Sequence, residues 1–101
     1  MLIVSQSGNI RVNYNNVTGI ELKKVFSNEK EEYKIVAHLN DKAEVTLYSS
    51  LILNSAQKAL VALDEAIIKA ETYKHLNLSS EKEIENLYKD MYIFYMADCE
   101  A

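Results

Sequence analysis

Residues 54–75 read NSAQKALVALDEAIIKAETYKH, and they carry the strongest structural signal in the chain. Apolar side chains recur there at spacings of three and four, which places them on one stripe of an α-helix. Asn54 and Gln57 have the spacing of a capping box. A helix of this length measures about 30 Å, so we expect it to cover a small β-sheet. The stripe comprises Ala56, Ala59, Leu60, Leu63, Ile67, Ala70 and Tyr73.

The residues before this helix have the period-2 pattern of β-strands. Apolar and polar residues alternate over 10–14, 33–39 and 43–47, which is typical of strands with one face buried and one exposed to solvent. Residues 17–26 continue as a further strand, with a bulge predicted near Gly19. Residues 2–53 are therefore predicted to be mainly strands.

The connections between these strands are predicted to be short. The polar run 27–31 is predicted to be a loop, and the turn-forming pair Asn40-Asp41 predicts a hairpin. Short connections between consecutive strands favour antiparallel pairing. The first half of the chain is thus predicted to form a twisted sheet with one face available for the helix.

Two more elements are predicted after the helix. Ser80 and Glu83 have capping-box spacing, which predicts a short second helix over about 80–90. Aromatic and β-branched residues over 92–96 favour a strand that returns to an edge of the sheet. The predicted fold class is α+β: an antiparallel sheet of five to six strands packed against helix 54–75, in a single domain of residues 1–101.

Composition excludes several classes of protein. The chain has 101 residues, with 11 basic and 15 acidic side chains, and its formal net charge is -4. Proteins that bind nucleic acid usually carry a basic excess, so we expect no direct nucleic-acid binding. No apolar run is long enough to cross a bilayer, and the first residues lack the basic start of a signal peptide. The single cysteine, Cys99, is consistent with a reducing cytoplasm, where we expect the protein to reside.

The side chains most suited to catalysis do not form a recognisable motif. His38, His75 and Cys99 lack the paired spacing of a metal site, so no metal or other cofactor is expected. His38 is interpreted as a solvent-facing strand residue, and His75 as a residue at the C-terminal end of the long helix. Cys99 lies between Asp98 and Glu100, whose charges raise the pKa of a thiol and disfavour a nucleophilic role. We therefore expect the chain not to be an enzyme.

Charge and aromatic residues concentrate at the C-terminal end. Residues 81–101 hold two basic and six acidic side chains, so this segment alone contributes the whole net charge of -4. Tyrosine is favoured at protein interfaces because it combines a large rigid apolar area with one hydroxyl group. The alternative is that the rings fill the core and the acids form a solvated face. The predicted partner-binding residues are Glu81, Glu83, Glu85, Tyr88, Asp90, Tyr92 and Tyr95.

Five segments of the chain carry a resemblance to known proteins: residues 1–8 (MLIVSQSG), 12–17 (VNYNNV), 33–37 (YKIVA), the alanine-rich helix and 94–96 (FYM). Together they resemble a family of small proteins carried by phages, prophages and mobile elements of Firmicutes. Ser7 stands where the family usually has Asp, and Ala97 where it usually has Pro. The resemblance implies no active site, because the family has none that could be carried over.

What the resemblance implies is a biological context. Small acidic proteins of such elements include anti-CRISPR proteins, which bind a Cas effector stoichiometrically. RNA-guided nucleases hold nucleic acid in basic channels, which an acidic surface bearing tyrosines complements. The leading hypothesis is therefore an inhibitor of a type II Cas nuclease or its guide-RNA complex in the host bacterial cytoplasm.

The alternative hypothesis is a non-catalytic structural or regulatory protein that associates with itself. Val61 and Ile68 form a second apolar stripe on the long helix, and a two-fold interface is the commonest solution for small proteins. Monomer and homodimer both remain open at this stage.

Overall fold

The computed structural model describes residues 1–74 and 93–99 of the chain. Within these residues the architecture is α+β, as predicted, with two three-stranded sheets, one long helix and two short 3-10 turns. The helix α1 spans Leu53–Lys74, and the 3-10 turns span Tyr14–Asn16 and Met96–Cys99. The strands are β1 (Leu2–Val4), β2 (Arg11–Asn13), β3 (Val17–Ser27), β4 (Lys30–Leu39), β5 (Glu44–Ser50) and β6 (Ile93–Tyr95).

The apolar stripe of α1 faces inward, as its spacing predicts. Ala56, Ala59 and Leu63 are fully buried, and the other described members of the stripe are partly buried. The Tyr73 side chain lies outside the described part. Alanines on the inner face let the helix approach the strands closely, and burial of Leu63 contributes about 2 kcal/mol.

The start of α1 differs from the predicted capping box. The carbonyl of Ile52 accepts the Ala56 N–H at 3.2 Å, and the Ile52 N–H donates to Ser50 Oγ at 3.0 Å. Asn54 therefore lies inside the first turn and cannot be the capping residue. The helix begins earlier than predicted because the chain passes from β5 into α1 within two residues.

Strands β3, β4 and β5 form an antiparallel meander, as the alternation predicts. The predicted bulge near Gly19 is confirmed, since the register between β3 and β4 shifts between Val17 and Gly19. Thr18 Oγ1 donates to the carbonyl of His38 at 3.2 Å and thereby ties the bulge to the neighbouring strand.

The connection between β3 and β4 is much tighter than the loop predicted over 27–31. Ser27 pairs with Lys30, so only Asn28 and Glu29 form the turn, both with positive φ. Positive φ at both central positions is the geometry of a type I′ hairpin. Glutamate is unfavourable in this geometry, which is why the sequence did not indicate a two-residue turn.

The first sheet has the strand order β2, β1, β6 and corrects two features of the predicted fold. A single sheet of five to six strands was predicted, whereas the six described strands divide into two sheets of three. In addition, β6 pairs with β1 in parallel rather than antiparallel. The predicted C-terminal strand itself is confirmed, and it lies at an edge of its sheet within the described residues.

The division into two sheets has a local cause at Gln6. Its N–H donates to the carbonyl of Leu47 at 2.7 Å, and its Oε1 accepts the Ser49 N–H at 3.1 Å. A side-chain oxygen here takes the place that a backbone carbonyl occupies in a regular ladder. The chain beside β5 is therefore not a continuous strand, although the two sheets meet there.

The core lies where both sheets, α1 and the last 3-10 turn meet. Its members are buried residues from each of these elements, and Met96 is as fully buried as the central strand residues. The largest fully buried side chains are Ile3, Ile35, Leu47, Leu63, Met96 and Val36.

Two predictions lie outside the described residues: the short helix over 80–90 and the position of His75. In the described part of the chain, no helix has the length and apolar character needed to cross a membrane.

Candidate functional site

Strand β6 is the described end of the acidic C-terminal segment that was predicted to bind a partner. Its residues pair with β1 in the register Leu2 to Ile93, Ile3 to Phe94 and Val4 to Tyr95. Phe94 packs against the core, whereas Tyr95 on the other face is 47% exposed. Met96, fully buried, anchors the chain immediately afterwards. The strand thus fixes this end of the segment and leaves the Tyr95 ring accessible.

Tyr95 is the one predicted contact residue that the structure describes. The remaining predicted contact residues lie outside the described part: Glu81, Glu83, Glu85, Tyr88, Asp90 and Tyr92.

Cys99, at the end of the last 3-10 turn, is a partly buried free thiol. Burial raises its pKa, and the charge of Asp98 raises it further. The effect predicted for Asp98 is confirmed, and the larger effect of burial was not visible in the sequence. A thiol with a raised pKa is a poor nucleophile at neutral pH.

A cluster of four ionisable residues lies on the outer face of the β3–β4–β5 sheet. His38 Nε2 donates to Glu21 Oε1 at 2.8 Å, and His38 Nδ1 lies 3.8 Å from Glu44 Oε2. Lys23 Nζ lies 2.8 Å from Glu44 Oε1 and 3.4 Å from Glu21 Oε1. Each charge therefore has an oppositely charged neighbour, and each side chain is at least one third exposed.

The electrostatics of this cluster follow from its hydrogen bonds. The hydrogen bond from His38 lowers the pKa of Glu21, and Lys23 lowers it further. The hydrogen bond to Glu44 raises the pKa of Lys23. Such mutually satisfied surface charges have little capacity left for general acid or base catalysis, and exposed pairs contribute little to stability because solvent screens them.

The sequence did not predict this cluster, although His38 was correctly placed on the solvent side. The four residues come from three strands, and only the register brings His38 opposite Glu44 and beside Glu21. Among residues 1–74 and 93–99, no group of three or more His, Cys, Asp or Glu side chains has the arrangement of a metal site.

An open groove of about 370 Å³ lies between the first half of β3 and the second half of α1. Polar and apolar groups both line it, and Asp64 is the one charged side chain among the described lining residues. Ile68 on its rim is 64% exposed. The sequence did not predict this groove because it depends on how α1 crosses the sheet. The lining residues are Tyr14, Val17, Thr18, Gly19, Ile20, Asp64, Ile67 and Ile68.

Comparisons with protein-family models, with curated proteins and with solved structures found no match. The functional interpretation therefore depends on the residues themselves and on the resemblance described above.

Proposed function

We propose that this chain acts by binding another protein, as a phage or mobile-element inhibitor of a bacterial defence effector. The class of effector expected from the resemblance is a type II Cas nuclease. The observation that carries the proposal is the charge distribution. Residues 1–80 hold nine basic and nine acidic side chains, so the net charge of -4 belongs entirely to residues 81–101.

The described part of the C-terminal segment supports this proposal. Phe94 and Met96 are packed into the core, while Tyr95 lies exposed on β6. A binding segment anchored in this way loses less conformational entropy on association than a free tail does. Tyrosine is also, with tryptophan and arginine, one of the residue types enriched among those that supply most of the binding energy at an interface.

Charge complementarity supplies the physical mechanism. Cas nucleases bind guide and target nucleic acid in positively charged channels and read the adjacent DNA motif with arginines. An acidic surface that binds such a channel competes with nucleic acid for the same groups. Opposite charges also accelerate encounter, so inhibition is expected to be stoichiometric and fast.

The test is a DNA-cleavage assay with a type II Cas nuclease and its guide RNA, titrated with the purified full chain. We expect cleavage to fall as the chain approaches an equal molar amount of the nuclease complex. A parallel binding measurement by biolayer interferometry should show a complex under the same conditions. Absence of both inhibition and binding across effectors of matching hosts would contradict the proposal.

A second candidate function is self-association of a structural or regulatory protein. Val61 and Ile68 on the outer side of α1 are 55% and 64% exposed. Apolar side chains exposed on a helix are typical of protein interfaces when they form a patch. Light scattering tests this candidate, because a monomer at every concentration would exclude it.

A further inference from the structure

The outer edge of β3 offers unpaired backbone groups over a long distance. The strand has eleven residues, and within the described part of the chain it pairs with β4 alone. Lysines often protect such edges by projecting over them. Here Lys23 instead reaches across β4, because its Nζ lies 2.8 Å from Glu44 on β5. No other strand in residues 1–74 and 93–99 occupies this edge, which can therefore accept an additional strand.

The groove beside this edge is shaped for the side chains of an added strand. Thr18, Gly19 and Ile20 form its strand side, and α1 forms the opposite side. In β-strand addition, backbone hydrogen bonds provide affinity and pockets beside the edge select side chains. Ile67 and Ile68 on α1 can contact an apolar side chain, and Asp64 can contact a cation.

Strand β3 itself carries an apolar side chain and a cation on the face that is turned toward α1. Ile20 and Leu22 pack against the core, and by the period of two Lys24 and Phe26 lie on the same face farther along. Phe26 is 71% exposed, the largest value among the exposed large hydrophobic side chains that the structure describes. Lys24 contacts Glu31 at 3.0 Å in a well-exposed ion pair, which contributes little and is readily exchanged.

We propose that β3 is a homodimer interface, in which a second copy of this chain adds its own β3 antiparallel to the first. A two-fold axis perpendicular to the sheet keeps helix-facing residues opposite helix-facing residues, so both helices lie on one side of a continuous six-stranded sheet. Such an interface is isologous, and each copy therefore fills the groove of the other.

The charges on β3 select one register for this pairing. If Leu22 lies opposite its own copy, Glu21 faces Lys23 of the second chain on both sides of the axis. Registers centred on Glu21 or Lys23 place like charges directly opposite each other. Unlike charges across strands stabilise a sheet, and like charges destabilise it.

The same register brings the side chains of the second copy into the groove. Its Lys24 lies opposite Ile20, on the side of the sheet that Asp64 faces, and its Phe26 reaches the bulge at Thr18–Gly19. Ile67 and Ile68 then cover the aromatic ring. In this dimer, one interface covers both the Phe26 side chain and the edge of β3, which are exposed in the single chain.

The first experiment is sedimentation equilibrium of the full chain over a wide range of concentrations. The wild type should behave as a monomer–dimer equilibrium, and Phe26→Ser or Lys24→Glu should raise the dissociation constant about tenfold or more. Combining Lys24→Glu with Asp64→Lys should restore the dimer by exchanging the charges.

The control is Val61→Ser, which changes an exposed residue of α1 outside the groove and should leave the dimer intact. A wild type that stays monomeric at all concentrations would overturn the proposal. The edge of β3 would then be a candidate binding site for a strand of another protein. A dimer lost in Val61→Ser but kept in Phe26→Ser would overturn it in favour of the helix face.

A second experiment tests the register by mild oxidation of single-cysteine variants on a Cys99→Ser background. Leu22→Cys should form a disulfide with its own copy, because directly opposed residues bring their Cβ atoms to about 4.5–5.5 Å. Glu21→Cys and Lys23→Cys should not, and faster cross-linking of either would overturn the Leu22-centred pairing. The proposal does not depend on residues 81–101, so its failure and that of the proposed function are distinguishable.

Discussion

At the scale of single residues, two loop positions hold side chains in a backbone conformation that favours glycine. Glu29 and Lys42 have φ values of 64° and 68°. For residues with a Cβ atom, this left-handed conformation costs about 1–2 kcal/mol. Lys42 closes the three-residue hairpin loop after β4, where the Lys42 N–H donates to the carbonyl of Leu39 at 3.0 Å. A glycine at position 29 or 42 would therefore relieve backbone strain.

We expect Lys42→Gly to raise the free energy of unfolding by about 0.5–1 kcal/mol, since relief of strain exceeds the added entropy of glycine in the unfolded chain. Urea denaturation followed by circular dichroism measures this change. The matched control is Asp41→Gly in the same loop, which removes the Asp41 Oδ1 acceptor of the Ala43 N–H at 2.9 Å and should lower stability. A loss of stability in Lys42→Gly would contradict the expectation.

A second prediction about single residues concerns the ionic cluster on the outer face of the β3–β4–β5 sheet. In His38→Ala, the pKa of Glu21 should rise toward its ordinary value of 4.5, because the hydrogen bond from His38 is the main cause that lowers it. Carboxyl-carbon NMR titration measures the pKa of Glu21 directly. The pKa of Glu31, lowered by Lys24 and Tyr33, should not move and serves as the internal control.

The sign of the linked pH dependence follows from these directions. Because the pKa of Glu21 is lower in the folded chain, its contribution to stability is present above pH 4.5 and is lost as pH falls through the folded value. The pKa of Lys23 is raised, so its contribution is present below pH 10.5 and is lost as pH rises through the folded value.

At the scale of elements, sequence periodicity predicted what depends on local pattern. The stripe of α1, the alternation of β4 and the bulge near Gly19 each follow from residues close together in the chain. The parallel pairing of β6 with β1 does not, because no local pattern encodes which distant strand is the neighbour. The ionic cluster and the groove were missed for the same reason. Tyr95 stays a predicted contact residue, which the structure describes as exposed.

Tyr95 and Met96 are adjacent in the sequence, but Tyr95 is exposed and Met96 is fully buried. We therefore expect a substitution of Met96 to affect folding and a substitution of Tyr95 to affect binding. Met96→Ala should lower the free energy of unfolding by about 2–5 kcal/mol, because the fully buried side chain leaves a cavity. Tyr95→Ala changes an exposed side chain and should alter stability by no more than about 0.5 kcal/mol. Under the proposed function, Tyr95→Ala should nevertheless weaken partner binding. Guanidinium denaturation and biolayer interferometry measure the two effects, and equal destabilisation by both variants would contradict this separation.

At the scale of the whole molecule, the net charge is unevenly distributed along the chain. Residues 1–80 have no net charge, and residues 81–101 carry the whole net charge of -4. Such an asymmetry orients the approach to a basic partner and makes the association rate sensitive to salt, since the screening length falls from about 10 Å at 0.1 M to about 3 Å at 1 M. A diffuse charge of the same total would show weaker orientation. The distribution of charge, rather than its sum, therefore determines the expected kinetics.

We expect the association rate with a type II Cas complex to fall as salt concentration rises, and this dependence to be shallower for Glu81→Gln/Glu83→Gln than for the wild type. The matched control is Glu29→Gln/Glu65→Gln, which removes the same charge from exposed positions in the neutral part of the chain and should retain the wild-type dependence. Association rates at several salt concentrations measure the difference. If both double variants reduce the salt dependence equally, net charge rather than residues 81–101 governs binding, and the assignment of this segment as the contact surface is wrong.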